Sequence, residues 1–284
     1  MKKTKKIVNH FLPKIVGLKL NSLYLVKPQK AIQKAYELFS TPRKGQIKPE
    51  QVNFLKSAKS TKVLVNDLKL QTYHWKGEGK TVILVHGWDS NTYRWKDLVL
   101  DLQTKNFNII AFDAPAHGNS EGQQLSVPLY AECLDHIIEL YQPNFLIGHS
   151  VGGMTLVYNQ YLNYTEHIEK MVLLGAPSEM KSIMSDYKRI LNLNTKFILD
   201  LNVFFKAKFG YHFEEFSIAK FAKSIKQNTL IIHDQYDKVA PVSAAKSIAK
   251  SLEHSKLVIT EGAGHSLYKA EIRQEIIEFL EAKS

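Results

Sequence analysis

One cysteine in 284 residues leaves no partner for an internal disulfide, so the thiol content gives no sign of an oxidising compartment. Cys133 lies in "LYAECLDHIIELY", an amphipathic helical pattern, and reads as a small buried apolar side chain rather than a reactive thiol. Long apolar runs are also missing: no stretch reaches the roughly 20 residues that a membrane-spanning helix needs. There is no His-x-x-x-His pair and no carboxylate cluster, so neither a metal nor another cofactor is expected. Internal repeats and low-complexity tracts are absent as well. Apolar residues are not scarce, at 44%, which excludes disorder over most of the length. The length suits one large domain carrying an insertion.

Acidic residues are missing from one end. Residues 1 to 30 hold eight lysines and no Asp or Glu, against a formal charge of +11 for the whole chain. The remainder is nearly balanced, so the high pI says little about an active site. Without a recognition motif, no nucleic-acid partner is expected. The arm "MKKTKKIVNHFLPKIVGLKLNSLYLV" starts as a signal peptide does. However, Asn9, His10, Pro13, Lys14, Lys19 and Asn21 interrupt its apolar part, and no small-residue cleavage site follows. A cytoplasmic protein is therefore expected. The preferred reading of the arm is a packing helix with a solvated lysine face. The alternative is a basic amphipathic segment in weak contact with an anionic membrane, which would make the protein peripheral there. "KAIQKAYELF" follows with Ile32, Ala35, Tyr36 and Phe39 at helical spacing. "STPRKGQIKPE", with Pro42, Gly45 and Pro49, reads as a loop.

From about residue 62 strands and helices alternate. "VLVNDLKLQTYHW" suggests early antiparallel strands. "TVILVHG", "NIIAFDAP", "NFLIGHS", "KMVLLGAP" and "NTLIIHD" are short, nearly all-apolar runs, as buried strands are. Helical patterns separate them, and "SKLVIT" and a closing helix end the chain. Such alternation predicts βαβ units with right-handed crossovers and a mainly parallel sheet covered on both faces. Residues 178 to 227 break the rhythm. They contain no clear buried strand and are rich in aromatics: Phe197, Phe204, Phe205, Phe209, Tyr211, Phe213, Phe216 and Phe221. Ligands of parallel sheets bind at the carboxyl ends of the strands, so the informative residues follow each strand.

Ser150 sits there, in "GHSVGG", between a strand and a helix. A sharp turn at that point exposes its oxygen and needs small neighbours, which Gly148 and Gly152 supply. A serine hydroxyl needs a base to take its proton. His265 follows the last strand in "TEGAGHSLYKA", where Gly262 and Gly264 let the loop approach; His10, His74 and His254 are less well placed. A carboxylate must then orient the imidazole. "HDQYDKVAP" offers Asp234 and Asp237, and the order Ser, Asp, His holds for either.

With these motifs together, residues 62 to 284 resemble the serine hydrolases of the α/β-hydrolase fold family. The resemblance implies a three-layer α/β/α sandwich with a mainly parallel sheet and a helical lid insertion. The chain would divide into a basic arm and helix (1–61), a first core part (62–177), the lid (178–227) and a second core part (228–284). The family's acid sits at the second Asp of a D-x-x-D-x-x-x-P loop, which implies Asp237, with Asp234 a loop-shaping residue. "LVHGWDSN" is similar to the family's His-Gly-x motif and implies an oxyanion hole from the backbone N–H groups of Trp88 and Val151. His86 would then be structural, and the Trp88 side chain would wall the pocket. "FDAPAHGNS" resembles a structural loop of the family, which sets aside Asp113 and His117 as a second dyad. The lid aromatics would line an acyl pocket or, for most of them, pack the lid onto the sheet. The implied activity is hydrolysis of a carboxylic ester or related acyl compound with an apolar acyl group, without a cofactor. A non-catalytic binding module and a membrane-surface lipid or thioester hydrolase are the competing readings. The oligomeric state stays open.

Overall fold

A computed structural model describes residues 2–282, with side chains from Leu12 onward. Helices α1 (Lys2–Val26) and α2 (Pro28–Ser40) come first, followed by the short α3 (Val52–Leu55). Strands β1 (Lys59–Val65), β2 (Leu68–Trp75) and β3 (Thr81–Val85) precede α4 (Lys96–Thr104) and β4 (Asn108–Phe112). Next come α5 (Val127–Tyr141), β5 (Phe145–His149), α6 (Val151–Leu162) and β6 (Lys170–Leu174). Helices α7 (Met180–Leu191), α8 (Thr195–Phe209) and α9 (Ile218–Phe221) interrupt the alternation before β7 (Asn228–Asp234), α10 (Val242–Ser251), β8 (Ser255–Thr260) and α11 (Ala270–Glu281).

The eight strands form one sheet in the order β1-β2-β4-β3-β5-β6-β7-β8. Strand β2 runs antiparallel to β1 and β4, and all other neighbours are parallel. The hairpin between β1 and β2 turns at Asn66 and Asp67, both with positive φ (45° and 63°). That is the backbone twist a two-residue hairpin requires, and Asn and Asp tolerate it. The central β5 and β6 are buried along their whole length, whereas edge strand β1 is mostly exposed. This explains why the first read as continuous apolar runs. One face of the sheet, through Leu84, Ile109, Ile147, Val172 and Ile232, packs against Leu98 and Leu102 of α4 and Ile272, Ile276 and Leu280 of α11. Buried Lys170 donates to the carbonyls of Phe279 (2.9 Å) and Leu280 (3.2 Å) at the end of α11, satisfying groups that a helix terminus leaves open.

The chain divides into two compact units, and the division differs from the one drawn from the sequence. Met1–Thr41 joins Glu179–Ser217, while Pro42–Ser178 joins Ile218–Ser284. The reason is aromatic packing that links segments far apart in sequence. Tyr36 meets Phe204, Phe205 and Phe209 at ring-centroid distances of 5.4, 5.8 and 6.0 Å, and Tyr24 meets Phe197 at 4.9 Å. These insertion aromatics pack on α1 and α2. Phe221 belongs to the sheet unit, where it stacks on Tyr161 at 4.5 Å.

Helix α1 comes close to α7 at Gly17, where an added Cβ would lie 1.5 Å from the Leu191 carbonyl oxygen. Ala normally stabilises a helix interior over Gly by about 1 kcal/mol. Here the backbone clash outweighs that gain. Gly17→Ala is expected to destabilise the fold by about 2 kcal/mol or more, read as a lower melting temperature. An unchanged or raised melting temperature would refute this packing of α1.

Candidate active site

The site is built around an unusual backbone. Ser150, between β5 and α6, has φ 54° and ψ −123°. L-residues avoid this region at a cost of order 1–3 kcal/mol, and it persists only where the surroundings impose it. Here the Ser150 N–H donates to the Leu174 carbonyl of β6 at 2.8 Å, while α6 begins immediately after it. The flanking glycines are sterically required. A Cβ on Gly148 would lie 2.7 Å from the Gly152 carbonyl group, and one on Gly152 would lie 2.2 Å from the Val85 oxygen.

Three side chains named from the sequence come together. His265 Nε2 lies 3.0 Å from Ser150 Oγ, and its Nδ1 lies 2.7 Å from Asp237 Oδ2. Asp237 has a fully buried side chain, and that of His265 is 20% exposed. The other carboxylate oxygen, Oδ1, accepts the N–H groups of Val239 (2.7 Å) and Ala240 (3.1 Å). This arrangement leaves Nδ1 as the donor to Asp237 and Nε2 free to accept the serine proton.

Asp234 does not reach His265. It accepts N–H groups from Tyr236 (3.0 Å) and Ala263 (2.7 Å) and the hydroxyl of Thr260 (3.1 Å). Burial would raise its carboxyl, but these donors hold it below the usual carboxylate range. Asp234 thus ties the end of β7 to the loop that carries His265.

Further groups, not singled out from the sequence, brace the same loop. His149 Nε2 donates to the His265 carbonyl at 2.8 Å, and Arg94 Nη2 donates to the Ser266 carbonyl at 3.0 Å. The Arg94 guanidinium lies 4.7 and 4.9 Å from the ring centroids of Trp95 and Tyr268, and burial brings its pKa down to about 10. Burial, reinforced by Arg94, drives His149 well below the ordinary histidine range, so its ring is neutral. Among the described residues its Nδ1 has no partner. Behind the carboxylate, buried His233 holds Nε2 at 2.9 Å from the Ala240 carbonyl and 3.4 Å from Asp237 Oδ2. Their visible signal was adjacency: His149 precedes the serine, and His233 opens the Asp loop.

The His-Gly-x segment runs beside the serine, since a Cβ on Gly87 would lie 2.9 Å from Ser150 Cβ. Trp88 follows it, with its ring edge-on to His117 at 5.7 Å. Val151 is the first residue of α6, where a backbone N–H has no helical acceptor. His86 is fully buried; its Nδ1 donates to the Gly87 carbonyl (2.8 Å) and its Nε2 accepts the Ala114 N–H (2.9 Å). Burial, then neighbouring His117, lowers it to about 3. Asp113 and His117 are not joined. Asp113 accepts from Thr92 N (2.9 Å), Asn119 N (2.9 Å) and Tyr73 Oη (3.0 Å). His117 contacts the Pro115 carbonyl (2.9 Å) and the Asp89 N–H (3.1 Å). Both shape loops. Cys133 is buried, and its thiol is pushed up to about 12, as an inert thiol should be. Among the described residues no group of three or more His, Cys, Asp or Glu is arranged to hold a metal ion.

Comparison with known proteins agrees with this architecture. The model of the family Serine aminopeptidase, S33 matches residues 78–213, and that of TAP-like protein matches residues 214–283. The AB hydrolase superfamily protein YisY of Bacillus subtilis (strain 168) is 20% identical over 260 residues, covering 77% of this chain and 94% of that protein. Monoacylglycerol lipase ABHD6 of Bos taurus is 24% identical over 244 residues, covering 67% and 71%. Among solved structures, the esterase EaEST from Exiguobacterium antarcticum superposes with a TM-score of 0.63 at 18% identity, over 79% of this chain and all of that one. The chain belongs to the α/β-hydrolase fold family.

The buried histidines set a pH dependence. His86, His117 and His149 all have lowered pKa values in the fold, mainly through burial. In the unfolded chain they titrate near 6.5. Below about pH 6.5, and down to about 3 for His86, the unfolded chain binds more protons than the folded one. Stability is then lost as pH falls, by at most about 1.4 kcal/mol per pH unit for each histidine. Asp113, raised by burial, works in the opposite sense. Melting temperature should be flat at mildly alkaline pH and decline below about 6.5, with a shallower decline in His149→Gln. A profile identical in both proteins would contradict the buried, neutral His149.

Proposed function

We propose that the protein is a serine hydrolase that cleaves a carboxylic ester through an acyl-enzyme. The observation that carries this reading is the chain of contacts from Ser150 Oγ to His265 Nε2 (3.0 Å) and from His265 Nδ1 to buried Asp237 (2.7 Å). Ser150 Oγ attacks the carbonyl carbon while His265 takes its proton. Asp237 keeps the tautomer and stabilises the imidazolium that forms. The N–H groups of Trp88 and Val151 receive the developing oxyanion, each such donor contributing about 3–4 kcal/mol. His265 then protonates the leaving alkoxide, and water repeats the sequence on the acyl-enzyme. No cofactor takes part in these steps.

An ester is favoured among acyl compounds because relatives and structural neighbours named for their activity include a monoacylglycerol lipase and an esterase. A small-molecule ester with an apolar acyl group is the proposed substrate, and a cytoplasmic setting fits the single buried thiol. The competing reading, a non-catalytic binding protein on the same fold, gives no reason for a complete and correctly spaced Ser, His and Asp.

A fluorophosphonate probe should label the wild type and not Ser150→Ala. Labelling that persists in Ser150→Ala would defeat the proposal. With p-nitrophenyl esters of increasing chain length, kcat/KM is expected to rise from acetate toward longer acyl groups. A profile that falls from acetate onward would remove the apolar acyl group from the reading.

The two aspartates should separate. Asp237→Asn is expected to lower kcat on the order of 10³- to 10⁴-fold while the protein stays folded. Asp234→Asn should mainly lower the melting temperature. If Asp234→Asn alone abolished turnover, the acid would be misassigned.

A further inference from the structure

We infer that the unit formed by Met1–Thr41 and Glu179–Ser217 is a docking surface for anionic phospholipid membrane. The inference does not rest on the hydrolase reading. It starts from a helix face that packing leaves open. Helix α1 buries the stripe Gly17, Leu20 and Tyr24. A helix whose remaining surface met only water would carry polar residues there. Instead Leu12, Ile15, Leu18, Leu25 and Val26 lie on that remaining surface, between 49% and 81% exposed. Helix α8 in the same unit repeats the pattern, with Leu199 and Val203 one turn apart and both more than half exposed.

Charge selects the partner. Residues 1–41 and 179–217 together hold fifteen Lys and Arg against six Asp and Glu, so most of the chain's +11 belongs to this unit. Ion pairs within it join Lys181 to Glu214, Arg189 to Asp186 and Lys206 to Glu215. Among the described residues Lys14, Lys19, Lys27 and Lys30 are exposed and take no part in those pairs. The side chains of Lys2, Lys3, Lys5 and Lys6, which head the arm, lie outside the described residues. Exposed aliphatics bordered by unpaired lysines match a bilayer surface, which offers acyl chains beneath anionic headgroups. A second copy would bring the same excess of positive charge to the interface and be repelled. Nucleic acid would give the aliphatics nothing to bury against. Among the described residues no helix is long and apolar enough to cross a membrane, so the unit would lie on the surface.

The test is co-sedimentation of full-length Ser150→Ala protein, which leaves the lipid intact, with phosphatidylcholine vesicles containing or lacking about one third phosphatidylglycerol. Binding is expected to be at least about tenfold stronger to the anionic vesicles and to weaken as salt is raised. The combined variant Leu12→Gln, Ile15→Gln, Leu18→Gln should lose about tenfold in binding. In an otherwise wild-type chain the same changes should leave turnover of a soluble short-chain ester unchanged. If that variant misfolds by circular dichroism, Lys14→Gln, Lys19→Gln, Lys27→Gln, Lys30→Gln serves in its place, with a loss of binding and of salt dependence expected. Equal binding to both kinds of vesicle would overturn the inference, as would full binding by a folded variant. So would a solution dimer, seen by sedimentation velocity and abolished by the apolar variant, without vesicle binding. Because vesicle binding needs no turnover, binding by a protein whose wild-type form turns over no ester would count against the hydrolase reading alone.

Discussion

The backbone at Ser150 is the constraint on which the candidate site depends. A φ of 54° on a residue with a Cβ is costly, and it is held by the parallel pairing of β5 with β6 and by the start of α6. The register that places Ser150 N–H opposite the Leu174 carbonyl fixes where the hydroxyl points. The close approaches of Gly148 to Gly152 and of Gly152 to Val85 show how little room the turn has. The strain therefore comes from the same packing that stabilises the sheet, and it presents the Ser150 hydroxyl to His265.

His265 is positioned with comparable care, but through its backbone. His149 grips its carbonyl, Arg94 grips the next one, and Asp234 holds Ala263 two residues before it. The imidazole thus meets both Ser150 and Asp237 without relying on its own rotamer alone. Electrostatically, burial keeps His86 and His149 neutral. A pre-organised setting of this kind costs no reorganisation when charge develops.

The other unit follows a different physical logic. Its interior is aromatic, drawn from Tyr24, Tyr36 and Phe39 on one segment and Phe197, Phe205 and Phe213 on another. Rings of this size bury large areas and tolerate many relative angles, which lets two segments more than a hundred residues apart close on each other. Tyr24 also donates to Asp200, and Tyr187 donates to the Ala35 carbonyl at 2.8 Å. The interior combines these aromatics with aliphatics such as Ile32, Leu191 and Leu201, while the lysines Lys14, Lys19, Lys27 and Lys30 stay outside.

What the sequence determined by itself is what ten to fifteen consecutive residues can encode. The apolar runs of β3 to β7 were legible because central parallel strands are buried on both faces. The turn at Ser150 was legible because the glycines that it needs are its near neighbours. The loop-shaping roles of His86, Asp113 and His117 could be expected from their motifs. Tertiary structure decided what depends on distant segments meeting. It brought Asp237, not Asp234, to a histidine 28 residues away and that histidine to a serine 115 residues away. It recruited His149, His233 and Arg94, whose residue types suggest no partner until the loops are assembled. It also joined the basic arm to the aromatic insertion, because ring packing carries no periodicity that a single segment could announce.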